Sequence, residues 1–252
     1  MASGGGVRVR ADGTAVRLLA PPRTWPRLRP VRPRTVLVGA LVLGYVAVCA
    51  AVLGRSRLVD LDLAVLRWSP SSHWPAASAF LSEWVLLGQR AVCFGLAAAW
   101  LGLRALRTRE MRPLVTLGTA TVLLDVSVGL VKTMIGRLGP LQLGAAALRA
   151  GGSTVFSHGT IFPSGHAANA VVTWGLLAWL ARAHRRSWAV AAGLLAASVG
   201  LATIYLGTHW VSDVLAGWTA GALVLLAVPT VTGWVCRVGT RSVPGRRDVE
   251  GT

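Results

Sequence analysis

Six stretches of the chain are almost wholly apolar over the length of a membrane crossing: about 35–54, 84–103, 113–136, 166–182, 187–206 and 211–235. A spanning helix needs roughly 20 mostly apolar residues, so the pattern predicts about six membrane helices joined by short polar connections. Residues 1–34 are rich in Gly, Pro and Arg and read as a disordered basic tail. The first apolar run is too long for a signal peptide and lacks a convincing cleavage site, so it is expected to stay as an uncleaved first span. The organisation that follows is a tail over 1–34, two spans with a Trp-rich connection over 35–112, a core over 113–236, and a second tail over 237–252.

Composition supports the bilayer as solvent, since 54% hydrophobic residues exceeds what a soluble surface tolerates. The formal charge of +17 brings nucleic acid to mind. Its arginines, however, cluster between apolar stretches instead of forming a groove interleaved with exposed aromatics, so no nucleic-acid partner is expected. They act as a topology signal instead, because Arg and Lys in short loops mark the cytoplasmic side. The first tail carries Arg8, Arg10, Arg17, Arg23, Arg27, Arg29, Arg32 and Arg34; the second connection carries Arg104, Arg107, Arg109 and Arg112. Arg182, Arg185 and Arg186 follow the fourth span, and Arg237, Arg241, Arg246 and Arg247 the last. Both termini are then cytoplasmic, and 55–83, 137–165 and 207–210 face outward. Trp68, Trp74 and Trp84 in the first outer connection read as headgroup-level anchors. Cys49, Cys93 and Cys236 have neither metal-ligand spacing nor an even count, and read as packing residues.

Three polar clusters interrupt this apolar chain. Lys132, the only Lys, follows an apolar run at the outer end of the third span, with Arg137 five residues on. A cation at that depth is paired, snorkelling or functional, and the two together suit an anion. Asp125, seven residues earlier, reads as a helix–helix hydrogen-bonding residue. Next, Phe162-Pro163-Ser164-Gly165-His166 reads as a helix N-terminus, where Ser caps and free amides favour an anion. Ser164, Gly165 and His166 are thereby aimed at a phosphate. Last, His209 and Asp213 are four apart on an expected helical turn, a spacing that lets the carboxylate orient one ring nitrogen and free the other to attack. All three clusters fall at outer ends of spans.

With these residues the chain resembles the type-2 phosphatidic acid phosphatase superfamily, lipid phosphate phosphatases that share a helical core with vanadium haloperoxidases. The resemblance runs over about 113–220. Pro163-Ser164-Gly165-His166 is identical to the family's central tetrapeptide, and Tyr205 to Gly217 is close to its last motif. It implies an all-α polytopic bundle of about six membrane helices with a haloperoxidase-like helical catalytic core. His209 would attack phosphorus, Asp213 would orient it, and His166 would protonate the leaving oxygen. Lys132, Ser164 and the Gly165 amide would bind phosphoryl oxygens, with no metal or organic cofactor implied.

Two departures stand out: Gly139 and Thr203 occupy positions where the family usually carries phosphate-binding arginines. Arg137 is expected to compensate as a phosphate-binding residue, with Arg149 or His158 of the outer loop supplying further charge. The expected function is hydrolysis, at the outer face of a plasma membrane, of a membrane lipid phosphate or polyprenyl diphosphate through a phosphohistidine. The alternatives are a lipid-phosphate-binding pseudoenzyme, a phosphotransferase to a lipid or sugar hydroxyl, and a transporter. The Arg- and Ala-rich composition fits a GC-rich bacterial genome, and the oligomeric state stays open.

Overall fold

The computed structural model describes residues 8–9, 15–16, 33–143, 155–181 and 183–241. Most of the two tails, Arg149 and Arg182 therefore lie outside the described residues. Residues 1–36 and 37–252 form separate compact units. In the first, where a disordered tail is expected, Arg8–Val9 (β1) pairs antiparallel with Ala15–Val16 (β2).

The regular elements in the rest of the described chain are helices. The long elements are α1 (Pro33–Leu53), α5 (Arg90–Thr108), α6 (Arg112–Ile135), α7 (Gly165–Leu180), α8 (Arg185–Tyr205) and α9 (Val211–Arg241). Between α1 and α5 lie α2 (Arg57–Trp68), α3 (Pro70–His73), α4 (Ala76–Trp84) and a 3-10 turn, Val85–Gly88. Five helices, α1, α5, α6, α8 and α9, are long and apolar enough to cross a membrane. The fourth expected span is α7, which at 16 residues is shorter than the other five.

Two boundaries differ from the hydropathy pattern. The second span begins at Arg90 instead of 84, because Gln89 is extended and breaks the helix. A side chain at Gly88 would meet Val199 at 2.6 Å and the His166 carbonyl oxygen at 2.7 Å, so this turn is wedged between α7 and α8. At the other end α9 continues to Arg241, into the expected second tail.

Caps and small residues explain where elements stop and how closely they pack. Ser56 caps α2 by accepting from the Leu58 amide at 3.2 Å. Gly136, at φ 58°, ends α6 in the left-handed conformation that glycine tolerates. The core is one seam of α5, α6, α7 and α9, built from Ala97 and Leu101, Leu117 to Val128, Ala168 to Leu176, and Ala220 to Val228. α1 buries little and presents Leu37, Leu43 and Val46 outward, as a lipid-facing helix should.

α7 packs most extensively against α8 and α9. Its contact with α9 depends on Gly217 and Gly221, one turn apart, the small-residue spacing that lets membrane helices approach closely. A Cβ at Gly217 would stand 2.5 Å from the Ser164 carbonyl oxygen, and one at Gly221 would stand 2.9 Å from that of Ala168. Substituting Gly217→Ala is therefore expected to destabilise the protein by roughly 1–3 kcal/mol through overpacking. Gly118→Ala on α6, where a Cβ meets nothing within 4 Å, serves as the neutral control in thermal unfolding in detergent. Equal unfolding midpoints for the two variants would refute the close-packing role.

Candidate active site

The end of α6, the starts of α7 and α9, and the connection after α1 converge at one end of the bundle. α6 stops at Ile135, and the chain turns through Gly136 and Arg137. The returning segment is laid against that turn by backbone bonds: Phe156 to Ile135, Ser157 and Gly159 to Gly136, and Ile161 to Arg137. Gly159 is needed here, since a Cβ would fall 2.0 Å from the Arg137 carbonyl oxygen. His158, expected to fold over the site, lies in this paired segment beside Gly136.

Ser164 is fully buried and caps α7, its hydroxyl accepting from the Ala167 amide at 3.3 Å. Its own amide donates to the Asp213 carbonyl oxygen at 2.9 Å, which joins the first turns of α7 and α9 directly. Space beside Gly165 is open, with nothing within 4 Å of where a Cβ would sit. His166 follows in the first turn, and its ring lies edge-on to that of His209 with centroids 5.7 Å apart. Two histidines from separate helix N-termini thus face one another. Anions are stabilised where such free amides and dipoles converge. Lys132 reaches the same region, donating to the carbonyl oxygens of Thr160 and Ile161 just before the α7 cap.

His209 sits in the bend before α9 and not on a helical turn, as the four-residue spacing had suggested. Asp213 is in the first turn of α9, and its Oδ2 accepts from the Trp210 amide at 3.1 Å, the helix-capping half of a capping box. The same oxygen lies 3.5 Å from His209 Nδ1, an ion-pair distance without hydrogen-bond alignment. Tightening of that contact in a substrate complex is usual for catalytic pairs.

Arg137 is not presented as a phosphate ligand. Its side chain is 0% exposed, with Nη1 donating to Asp213 Oδ1 at 2.9 Å and to Ser212 Oγ at 2.6 Å. Nη2 donates to Asp62 Oδ2 at 2.8 Å, and the guanidinium carbon lies 5.1 Å from the centre of the Trp210 ring. A buried guanidinium between two carboxylates has its charge spent, which corrects the expectation that it replaces the missing arginines. Gly139 is buried against Ile161, and Thr203 is buried with its hydroxyl donating to the Gly200 carbonyl oxygen.

Asp62 and Ser212 escaped the sequence reading. The Ser212 amide and hydroxyl both donate to Asp62, at 2.9 and 2.5 Å. Burial pushes the Asp62 carboxyl above its usual range, while Arg137 and Ser212 pull it back. A signal was present: Asp62 falls between Val59 and Leu63 on the buried face of α2, where only apolar residues are expected. The connection after α1 is thus a contributor to the site and not only a peripheral element. Its Trp68 and Trp74 are about half exposed, as anchors would be, and Tyr205 donates to the Trp74 carbonyl oxygen. Asp125 pairs with Arg90 across α5 and α6 at 2.6 Å, in keeping with a helix–helix role. Among the described residues no cluster of His, Cys, Asp or Glu is arranged to hold a metal ion.

These features define an all-α, multi-pass membrane protein with a histidine pair, one member of it beside a carboxylate, at the convergent ends of its core helices. Residues 113–236 match the PAP2 superfamily. Phosphatidylglycerophosphatase B of Bacillus subtilis (strain 168) is 35% identical over 74 residues, covering 27% of this chain and 36% of that protein. The match therefore spans about a third of the curated relative. A solved transmembrane PAP2-type phosphatidylglycerolphosphate phosphatase from Bacillus subtilis superposes with a TM-score of 0.59 at 22% identity, covering 79% of this chain and 96% of that one. That likeness concerns the fold.

Trp210 gives this region a direct stability test. Its indole donates to the Leu138 carbonyl oxygen at 2.9 Å beneath the Arg137 guanidinium. Trp210→Phe is expected to cost about 1–2 kcal/mol by removing that bond and weakening the cation–π contact. The exposed Trp234→Phe should leave the unfolding midpoint in place, and a similar drop in both would count against the Arg137 platform.

Proposed function

We propose that the protein is a membrane lipid phosphatase working through a phosphohistidine on His209, with its site at the outer face. The observation that carries this reading is the facing pair His166 and His209, 5.7 Å apart at two helix N-termini. That gap is of the order of one phosphoryl group. The lone pair of the His209 nitrogen not facing Asp213 forms the N–P bond as the ester P–O bond breaks, and His166 donates its proton to the leaving oxygen. Water then attacks phosphorus, His166 takes back a proton, and the N–P bond breaks to release inorganic phosphate.

Asp213 supports the cationic ring that forms on attack. Lys132, the α7 amides at Gly165 and the two helix dipoles are the groups that would offset phosphoryl charge. Phosphatidylglycerophosphate heads the candidate substrates because a related protein carries that name; phosphatidate and undecaprenyl diphosphate follow on headgroup chemistry. Arginine counts favour an outward site, and the apolar surroundings favour a lipid-borne substrate over a soluble one.

A second reading has one observation in its favour. With Gly139 and Thr203 uncharged and Arg137 occupied by carboxylates, the phosphate cradle is poorer in cations than the family usually offers. A loss of each such donor commonly lowers turnover by roughly 10²–10³-fold. A lipid-phosphate-binding protein with little or no turnover is the outcome this would produce.

Phosphate release by the full chain in detergent separates the two. On the phosphatase reading, His209→Ala abolishes release and removes an acid-labile, alkali-stable phosphoryl label from the protein. Binding without any release by the unaltered chain supports the second reading. A finer prediction concerns His166: an aryl phosphate, whose leaving group needs little protonation, should suffer far less from His166→Ala than an alkyl phosphate. Equal losses on both substrates would remove His166 from the acid role.

A further inference from the structure

We propose that Asp62 is a positioning residue for the reaction at His209, acting through Arg137 and Asp213. The inference rests on the phosphatase reading for its kinetic test and on the geometry alone for its spectroscopic one. Asp62 comes from α2, some 150 residues before α9, and it is 1% exposed. Its hydrogen-bond partners are all donors: Arg137 Nη2, the Ser212 amide and the Ser212 hydroxyl. These donors favour the charged carboxylate and work against the burial that pushes it up.

The chain of contacts is continuous from Asp62 to the reacting ring. Arg137 binds Asp62 with one terminal nitrogen and Asp213 Oδ1 with the other. Ser212 accepts from Arg137 and donates to Asp62. Asp213 then has Oδ1 fixed by Arg137 and Oδ2 left for the Trp210 amide and His209. Asp62 divides the guanidinium between two carboxylates. Without it, both terminal nitrogens are free to close on Asp213 as a fork, which would draw Asp213 off His209.

The groups that face His209 are Asp213 from α9, His166 from α7, Lys132 at the end of α6 and, behind Asp213, Arg137 with Asp62 from α2. Arg90, paired with Asp125, lies beyond Lys132. Asp62, Arg137 and Asp213 together carry one net negative charge. Removing Asp62 alone makes that trio neutral, and removing Arg137 as well restores the single negative charge.

A nucleophilic His209 must be unprotonated, so its protonation sets the acidic limb of kcat/KM against pH. In Asp62→Asn, the unbalanced guanidinium disfavours ring protonation. That limb should move to lower pH by about half a unit or more, with kcat down on the order of 10–100-fold through misplacement and KM nearly unchanged. In Asp62→Asn with Arg137→Met, the limb should return to its original position while kcat stays low. A merely structural Asp62 leaves the limb in place in both chains and lowers only the active fraction; that result overturns the proposal.

Should Asp62→Asn alone fail to fold, the double variant carries the test, because it keeps the trio's single negative charge and leaves Asp213 Oδ2 held by the Trp210 amide. It is then expected to turn over at least about tenfold more slowly per active site, with active sites counted by the phosphoryl label on His209, and full turnover per labelled site would overturn the proposal. If the unaltered chain releases no phosphate from any lipid phosphate tested, the phosphatase reading fails separately. Nitrogen NMR of the full chain labelled at histidine then decides, with His209→Ala assigning its signal. One dominant His209 tautomer in the unaltered chain that becomes a mixture in the Asp62 variant supports positioning, and identical His209 signals refute it.

Discussion

The site depends on a single buried cation held between two carboxylates. Arg137 lies in the turn after α6, Asp62 on α2 and Asp213 on α9, so one guanidinium ties three distant parts of the chain. Burying an ion costs several kcal/mol unless its donors are matched. Here both terminal nitrogens are matched, Ser212 bridges the carboxylate to the guanidinium, and the Trp210 ring flanks it. Such a network is costly to break at one point. The placement of His209 beside Asp213 is therefore tied to an ion cluster that is itself fully buried.

That cluster needs α7 and α9 brought together to within backbone contact. Gly217 and Gly221 remove the side chains that would hold the helices apart, and the Ser164 amide then reaches the Asp213 carbonyl oxygen. Half-buried indoles are also satisfied: Trp174 donates to Leu87, Trp218 to Ala196 and Trp84 to Ser198. In a medium where helices gain little from hydrophobic burial against lipid, close packing and paired polar groups are what remain to define one arrangement.

The helices were legible because the apolar runs are long, and the errors fell where tertiary contact overrides hydropathy. Nothing in the run from Trp84 signals that Gly88 is wedged against His166, so the start of the second span was placed early. His166, His209 and Asp213 were legible because a polar residue at the end of an apolar run needs a reason to be there. Arg137 was legible as exceptional but not in its role, since a sequence does not say which carboxylates meet it. Its partner lay in a segment that reads as a connection, and only an acid on the apolar face of α2 betrayed it.

α7 is the shortest of the long helices, and its length sets how deep the histidines lie. Sixteen residues rise about 24 Å, against roughly 30 Å of hydrocarbon. A helix of that length falls several ångströms short of a full crossing, and the irregular backbone over 155–164 leads into it. Its amides at Phe156, Ser157, Gly159 and Ile161 are all paired with the 135–137 turn, which makes non-helical chain tolerable at that depth. On the lipid-phosphatase proposal, a headgroup then has to sink toward the protein while its acyl chains stay among their neighbours, and bulky, strongly hydrated heads are disfavoured before any side chain inspects them.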